Sequence, residues 1–369
     1  MKFYEYKAYE IFRRHGIPVP HGVVAAAPED LANPPLPCAV KAQVLVGGRG
    51  KAGGIKFAGT AEEAREAARQ ILGMTIGPYV VQQVFAQEKL DIARELYLSL
   101  TIDRSARAPL LMASATGGVE VESLPDGAIL KVQIPPAIGP QPYVFRTLRK
   151  FLGLPKEQAD QVEDIARKAY ALFRAEDAEL VEINPLAVLR DGRVVAGDAK
   201  LTVDDSAEYR HTEYADLPQD RTPLEEEAHD KGITFLQLEG DIGVIANGAG
   251  LTMATLDVLN LKGGRGGTFL DLGGTDDPEK VKEAFEILLK AGPSAIFLNI
   301  FGGITKADTV ALGVKQAFAE MHVRVPVVAR IKGVNEDRAK EILRDIGMYP
   351  VETIEEGAEL AVNVRAGGG

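Results

Sequence analysis

A single cysteine, Cys38, stands in a chain of 369 residues. No intrachain disulfide can form, and no Cys/His metal cluster can be built around one thiol. Within the strand-like run CAVKAQV it reads as a small buried apolar residue. Long hydrophobic runs are missing too. No segment approaches the roughly 18 apolar residues that a membrane span needs. The opening stretch MKFYEYKAYEIFRRHG carries charge every few residues, so no secretory leader is expected. Basic charge is in deficit, with 42 Lys and Arg against 53 Asp and Glu, a net charge of −11. A general nucleic-acid binder would show a basic face, whereas a local cationic loop can still hold a small anion on an acidic protein. A cytoplasmic protein, away from both membrane and nucleic acid, is the expectation. Histidine is scarce: His15, His21, His211, His229 and His322 stand outside glycine-rich turns and do not pair at metal spacing. The chain supplies no evident nucleophile.

What is present falls into two halves. In the first, Tyr4, Ala8, Ile11 and Phe12 share a helical face that ends at Gly16. CAVKAQV, IKFA, YVVQQVF, IARELYLSLTID, PLLMASA and GAILKVQI read as strands. AEEAREAARQILG and PKEQADQVEDIARKAYALFRAED read as amphipathic helices. ELVEINPLAVL and RVVAGDAKLTV flank Arg190-Asp191-Gly192, a hairpin signal. Mixed helices and antiparallel strands make this half α+β. The polar, proline-bearing stretch DLPQDRTPLEEEAHDKG then reads as a connector. After it a strand, a glycine turn and a helix recur: DIGVIANGAG with LTMATLDVLNLKG, GTFLDLGG with DPEKVKEAFEILLKAG, SAIFLNIFGG with TKADTVALGVKQAFAEM, and PVVARIKG with NEDRAKEILRDIG. That alternation specifies a doubly wound parallel sheet, an α/β unit.

Three features carry chemistry. The first is KAQVLVGGRGKAGG, residues 41–54, where Gly47, Gly48, Gly50, Gly53 and Gly54 let backbone N–H groups approach oxygen closely and Lys41, Arg49 and Lys51 supply positive charge. It is not a Walker A loop, since Ala52 follows Gly50-Lys51. The second is the hairpin. A three-residue turn with Gly192 left-handed puts Leu189 opposite Arg193, Asn184 opposite Asp198 and Glu182 opposite Lys200, all four polar side chains on one side; a two-residue turn would flip Asp198 away. Asn and Asp oxygens on neighbouring strands suit Mg²⁺. The solvated polar face of an antiparallel sheet would hold the same residues. The third is the set of turns NGAG, LGG and FGGIT at the carboxyl ends of parallel strands, where helix N-termini favour anions. Glycine loop and hairpin together point to nucleoside triphosphate binding by an ATP-grasp-like domain; Glu95 in ARELYL reads either as a ribose or metal contact or as an exposed strand position.

KAQVLVGGRGKAGG, DIARELYL, EINPLAVL with GDAKL, NGAGLTMATLD, FLDLGG and NIFGGIT, in this order, closely resemble the β subunits of the succinyl-CoA synthetase (succinate–CoA ligase) family, from HGIPVPHG onward. The resemblance implies an N-terminal ATP-grasp domain over 1–225, a connector over 226–238 and a flavodoxin-like CoA-ligase domain over 239–369. It implies a partner α subunit, as αβ or α2β2, that binds most of the CoA and carries a phosphorylated histidine. By that likeness Lys41 and Gly48-Arg49-Gly50 hold the phosphates of ATP/ADP or GTP/GDP, Gln87 to Leu90 form the hinge against the base, and Glu95 helps bind the nucleotide. Asn184 and Asp198 bind Mg²⁺, Glu182 orients the partner's histidine, and Asn247 with Gly303-Ile304-Thr305 lines the succinate and phosphohistidine site. A malate or other dicarboxylate ligase, or a non-catalytic nucleotide-binding regulatory subunit, would keep much of this pattern.

Overall fold

Chain contacts divide the protein into two units, Met1–Asp220 and Arg221–Gly369. The computed structural model describes residues 1–369 other than 120, 126, 215, 216, 218–220, 304, 322 and 367–369. Among the described residues no helix is long and apolar enough to cross a membrane.

The first unit opens with α1 (Glu5–Arg14), β1 (Gly22–Ala25), β2 (Cys38–Ala42), β3 (Ile55–Ala58), α2 (Ala61–Ile71), the short β4 (Thr75–Ile76) and β5 (Tyr79–Val80), and β6 (Val84–Glu88). It continues through β7 (Ile92–Asp103), β8 (Ala108–Ser114), β9 (Leu130–Gln133), α3 (Pro142–Leu152), α4 (Lys156–Ala175), β10 (Ala178–Leu189), β11 (Val194–Ala196) and β12 (Lys200–Val203). YVVQQVF is not one strand, because β5 turns back on β4 and pairing resumes only at Val84. A four-stranded antiparallel sheet has the order β1-β6-β2-β3. A larger one runs β11-β10-β7-β8-β9, with β12 also on β10. Helix α2 shows how sequence becomes packing. Thr60 Oγ1 caps it by accepting from the Glu63 N–H at 3.2 Å, and Ala64, Ala67, Ala68 and Ile71 form its buried stripe over the small sheet. Along α4, Val162, Ile165, Ala169, Leu172 and Phe173 do the same for the large sheet. Each large side chain buried this way contributes about 1.5–3 kcal/mol.

The second unit runs α5 (Pro223–Asp230), β13 (Thr234–Gln237), β14 (Ile242–Ala246), α6 (Ala249–Leu261), β15 (Thr268–Asp271), α7 (Pro278–Lys290), β16 (Ala295–Gly302), α8 (Ala307–Met321), β17 (Val327–Gly333), α9 (Glu336–Asp345), β18 (Tyr349–Val351) and α10 (Ile354–Ala366). Its sheet order is β13-β15-β14-β16-β17-β18. All pairs are parallel except β13 on β15. The five parallel strands therefore follow the flavodoxin-like order, with its switch point between β14 and β16. The stretch 226–238, expected as a connector, instead holds most of α5 and all of β13. Thr222 and Glu225 form a reciprocal cap that starts α5, and β13 covers the edge of β15. Charge and proline in the sequence marked the helix start rather than a linker.

Candidate active site

Hairpin register positions the first unit's polar residues. Leu189 N–H donates to Arg193 O at 2.8 Å and Gly192 N–H to Leu189 O at 3.0 Å, closing a three-residue turn with Gly192 at φ 88°. Glu182 pairs with Lys200, and Leu186 with Ala196, so one register runs through both stretches and sets Asn184 opposite Asp198. On its other edge β10 slips by one residue against β7 between Ile183 and Leu186. The extra residue falls at Asn184-Pro185, where proline offers no N–H to the ladder. Asn184 turns its carboxamide to the loop after β8 instead. Its Oδ1 accepts from Gly118 N–H at 2.7 Å, and its Nδ2 donates to Val119 O at 3.0 Å.

These residues line a cleft of about 930 Å³ with the glycine loop: Gly48, Arg49, Gly50, Glu182, Asn184 and Asp198 all face it. The loop folds on itself through Gly54 N–H to Arg49 O (2.8 Å) and Ala52 N–H to Gly48 O (3.1 Å). Arg49 is fixed by two carboxylates. One guanidinium nitrogen donates to Glu5 Oε2 at 2.6 Å, and another spans Asp198 Oδ2 and Oδ1 at 2.8 and 3.1 Å. Lys41 Nζ donates to Glu5 Oε1 at 2.7 Å and to Gly197 O at 3.3 Å. Tyr9 OH donates to the same Glu5 oxygen at 3.1 Å. Glu5 is buried, whereas the Asp198 side chain keeps 31% of its surface open to the cleft. Burial alone would raise the Glu5 carboxyl, but the Arg49 and Lys41 charges override it and hold it far down, at about 2. At Asp198 burial wins, helped by the nearby Glu5 charge, and the carboxyl rises above its ordinary value although Arg49 pulls the other way. Burial opposes the Arg49 charge, yet Glu5 and Asp198 outweigh that cost and hold the guanidinium protonated.

Other expected residues sit differently. Lys41 lies behind Glu5 rather than on the cleft wall. Gln87 is buried, accepting from Tyr9 OH at 3.3 Å and donating to Gly197 O at 3.4 Å. Leu90 packs with Ala187, Leu189 and Val195 and lines a separate depression of about 370 Å³. The Glu95 carboxylate is against Gly118, where an added Cβ would come within 2.0 Å of Oε2. Glu5 was missed. Its signal was an acid at i on the buried stripe Glu5, Ala8, Tyr9, Phe12 of α1.

In the second unit, Asn247 bridges the switch point. Its Nδ2 donates to Phe301 O at 2.9 Å and its Oδ1 accepts from Phe301 N–H at 2.8 Å. Asp271, also missed, accepts from the N–H groups of Gly248 at 2.5 Å and Gly273 at 2.7 Å and shapes the adjoining turns. Gly303 faces open space, and buried Thr305 donates to Gly273 O at 3.4 Å just before α8 begins. Ile304 lies outside the described residues.

Residues 2–188 match the ATP-grasp domain, and residues 245–364 match the CoA-ligase family. The chain is 41% identical to a protein of Nautilia profundicola and 44% to one of Chloroflexus aurantiacus, each covering 100% of both chains. Both relatives are named succinate–CoA ligase [ADP-forming] subunit beta. In structure it is similar to ATP citrate lyase from Methanothrix soehngenii, with a TM-score of 0.70 over 98% of this chain and 99% of that one at 19% identity, a likeness of fold.

Proposed function

The chain belongs to the succinate–CoA ligase subunit β family, and from that membership we propose that it is the nucleotide- and succinate-binding subunit of a cytoplasmic acid–thiol ligase. With an α subunit it interconverts succinate, CoA and ATP with succinyl-CoA, ADP and phosphate, a substrate-level phosphorylation of the tricarboxylic acid cycle. The ADP-forming names of its relatives favour adenine over guanine.

The observation that carries this reading is the convergence of Gly48, Arg49, Gly50, Glu182, Asn184 and Asp198 on one cleft. The donor set fits Mg²⁺, which prefers a few hard oxygens and completes its shell with water and phosphate. A guanidinium already rests on Asp198, so that carboxylate sits where positive charge is favoured. Asn184 and Asp198 would hold Mg²⁺, which when bound neutralises polyphosphate charge. Glycine-loop N–H groups and Arg49 grip the phosphates, with Lys41 behind them. Gln87 to Leu90, assigned to the base by resemblance, lie off this cleft, with Gln87 buried and Leu90 in the neighbouring depression, while Glu95 lies beside Gly118. Glu182 accepts from and orients the α subunit's imidazole as it takes the γ-phosphoryl group and ADP leaves. In the second unit, Asn247 and 303–305 hold succinate and the phosphoryl group near the start of α8. A succinate oxygen attacks phosphorus and frees the imidazole; the CoA thiol then attacks the acyl carbon and releases phosphate.

The test is co-expression with the α subunit and measurement of thioester formation with succinate and malate, ATP and GTP, side by side. Succinate with ATP gives the highest turnover, and the isolated chain gives none. Preference for malate, or turnover by this chain alone, overturns the reading.

A further inference from the structure

The two cations assigned to phosphate are both held by one carboxylate that the family reading leaves without a role. Glu5 divides its oxygens: Oε1 takes Lys41 Nζ and Tyr9 OH, and Oε2 takes Arg49. The other face of the same guanidinium is on Asp198. A planar fork of five donors can span two carboxylates, which an ammonium cannot do with the same geometry. Asp198 Oδ1 also accepts from Ala199 N–H at 2.7 Å. With Arg49 on both oxygens and Ala199 on Oδ1, three of the carboxylate's roughly four lone-pair sites are taken, so a metal on Asp198 meets the guanidinium's positive charge at the same two oxygens. Phosphate likewise needs the N–H groups that Arg49 gives to Asp198.

We infer that Arg49 and the metal compete for Asp198, and that Glu5 is the positioning residue that keeps the guanidinium within reach of both that carboxylate and the phosphates. With Asp198 given over to a metal, Arg49, still tethered by Glu5, would turn its freed donors to the polyphosphate. Sign is matched in the exchange, because cation replaces cation at Asp198 and anion replaces anion at Arg49. This inference rests on the nucleotide reading of the cleft.

The experiment is calorimetric titration of Mg²⁺ into the full chain without nucleotide, with ATP affinity measured separately. Arg49→Gln unmasks Asp198, so Mg²⁺ binds about tenfold tighter than to the unsubstituted chain while ATP binds about tenfold more weakly, a coupling of ordinary size. Glu5→Gln leaves Asp198 as the sole carboxylate on Arg49, so Mg²⁺-ATP binds about tenfold more weakly. Adding Arg49→Gln to it restores Mg²⁺ binding to the level of Arg49→Gln alone. A structural role for Glu5 would lower thermal stability without this reversal. If Glu5→Gln fails to fold, Arg49→Gln, whose side chain comes from the glycine loop, still decides the matter. Mg²⁺ affinity in Arg49→Gln no tighter than in the unsubstituted chain overturns the inference; if Asp198→Asn still weakens Mg²⁺-ATP binding, the nucleotide reading survives that failure. Should Arg49→Gln/Asp198→Asn bind Mg²⁺ as tightly as Arg49→Gln, the metal is elsewhere and both fall.

Discussion

Asn184 and Gly118 stand 66 residues apart and are joined by a 2.7 Å hydrogen bond, the carboxamide oxygen of one accepting from the backbone N–H of the other. With the second bond to Val119 O, the strand β10 thereby holds the loop after β8 against the cleft. Asn184→Ala removes both tethers and one oxygen donor. The bonds are solvent-exposed, so stability falls by about 1 kcal/mol or less. Mg²⁺-ATP binding falls further, by about tenfold or more. Urea melts with and without Mg²⁺-ATP measure the two effects; an equal loss in both would reduce Asn184 to a loop anchor.

Asp198→Asn keeps the shape of the side chain and removes its charge. The fold persists, because Glu5 still holds Lys41 and Arg49. The Mg²⁺ concentration for half-maximal ATP binding rises about tenfold or more. Unchanged metal dependence would remove the hairpin from the metal site.

Asn247→Ala breaks the bridge to Phe301 in the second unit. Succinate KM in the assembled enzyme rises about tenfold or more, while ATP affinity of the chain stays as it was. Loss of ATP binding in this variant would show that the division of labour between the two units is wrong.

Glu176 gives a pH prediction away from the cleft. Burial would raise its carboxyl, but hydrogen bonds from Tyr214 OH (2.6 Å) and His15 Nε2 (2.8 Å), with the Arg14 charge, bring it below the ordinary value. A carboxyl lowered on folding contributes stability that is present above its unfolded pKa, about 4.3, and lost as pH falls through the lower folded value. Glu176→Gln is therefore less stable than the unsubstituted chain at pH 7, and the gap in Tm closes below about pH 4. A gap that stays constant from pH 7 to pH 3 would assign the loss to packing.

Much of this site was legible because its spacing is rigid. A three-residue turn and a period of two suffice to bring Glu182, Asn184, Asp198 and Lys200 to one cleft, and the glycine turns after β14, β15 and β16 announce the parallel sheet. Glu5 and Asp271 were harder, since each acts through long-range partners that one strand or helix cannot reveal: Glu5 meets Lys41 and Arg49, and Asp271 meets Gly248. Leu90 came only from the family resemblance, and the register of β10 and β11 gives it apolar partners in another depression. The α5–β13 segment was misjudged because charge and proline mark a helix start as well as a linker.

Behind the glycine loop, Glu5 and Asp198 face Lys41 and Arg49, and their formal charges cancel. A phosphate pocket whose positive groups repel one another leans on its ligand to stay folded. This one carries matching opposites of its own. The pocket's cations are thereby neutralised within the polypeptide itself, and its shape does not call for a bound anion.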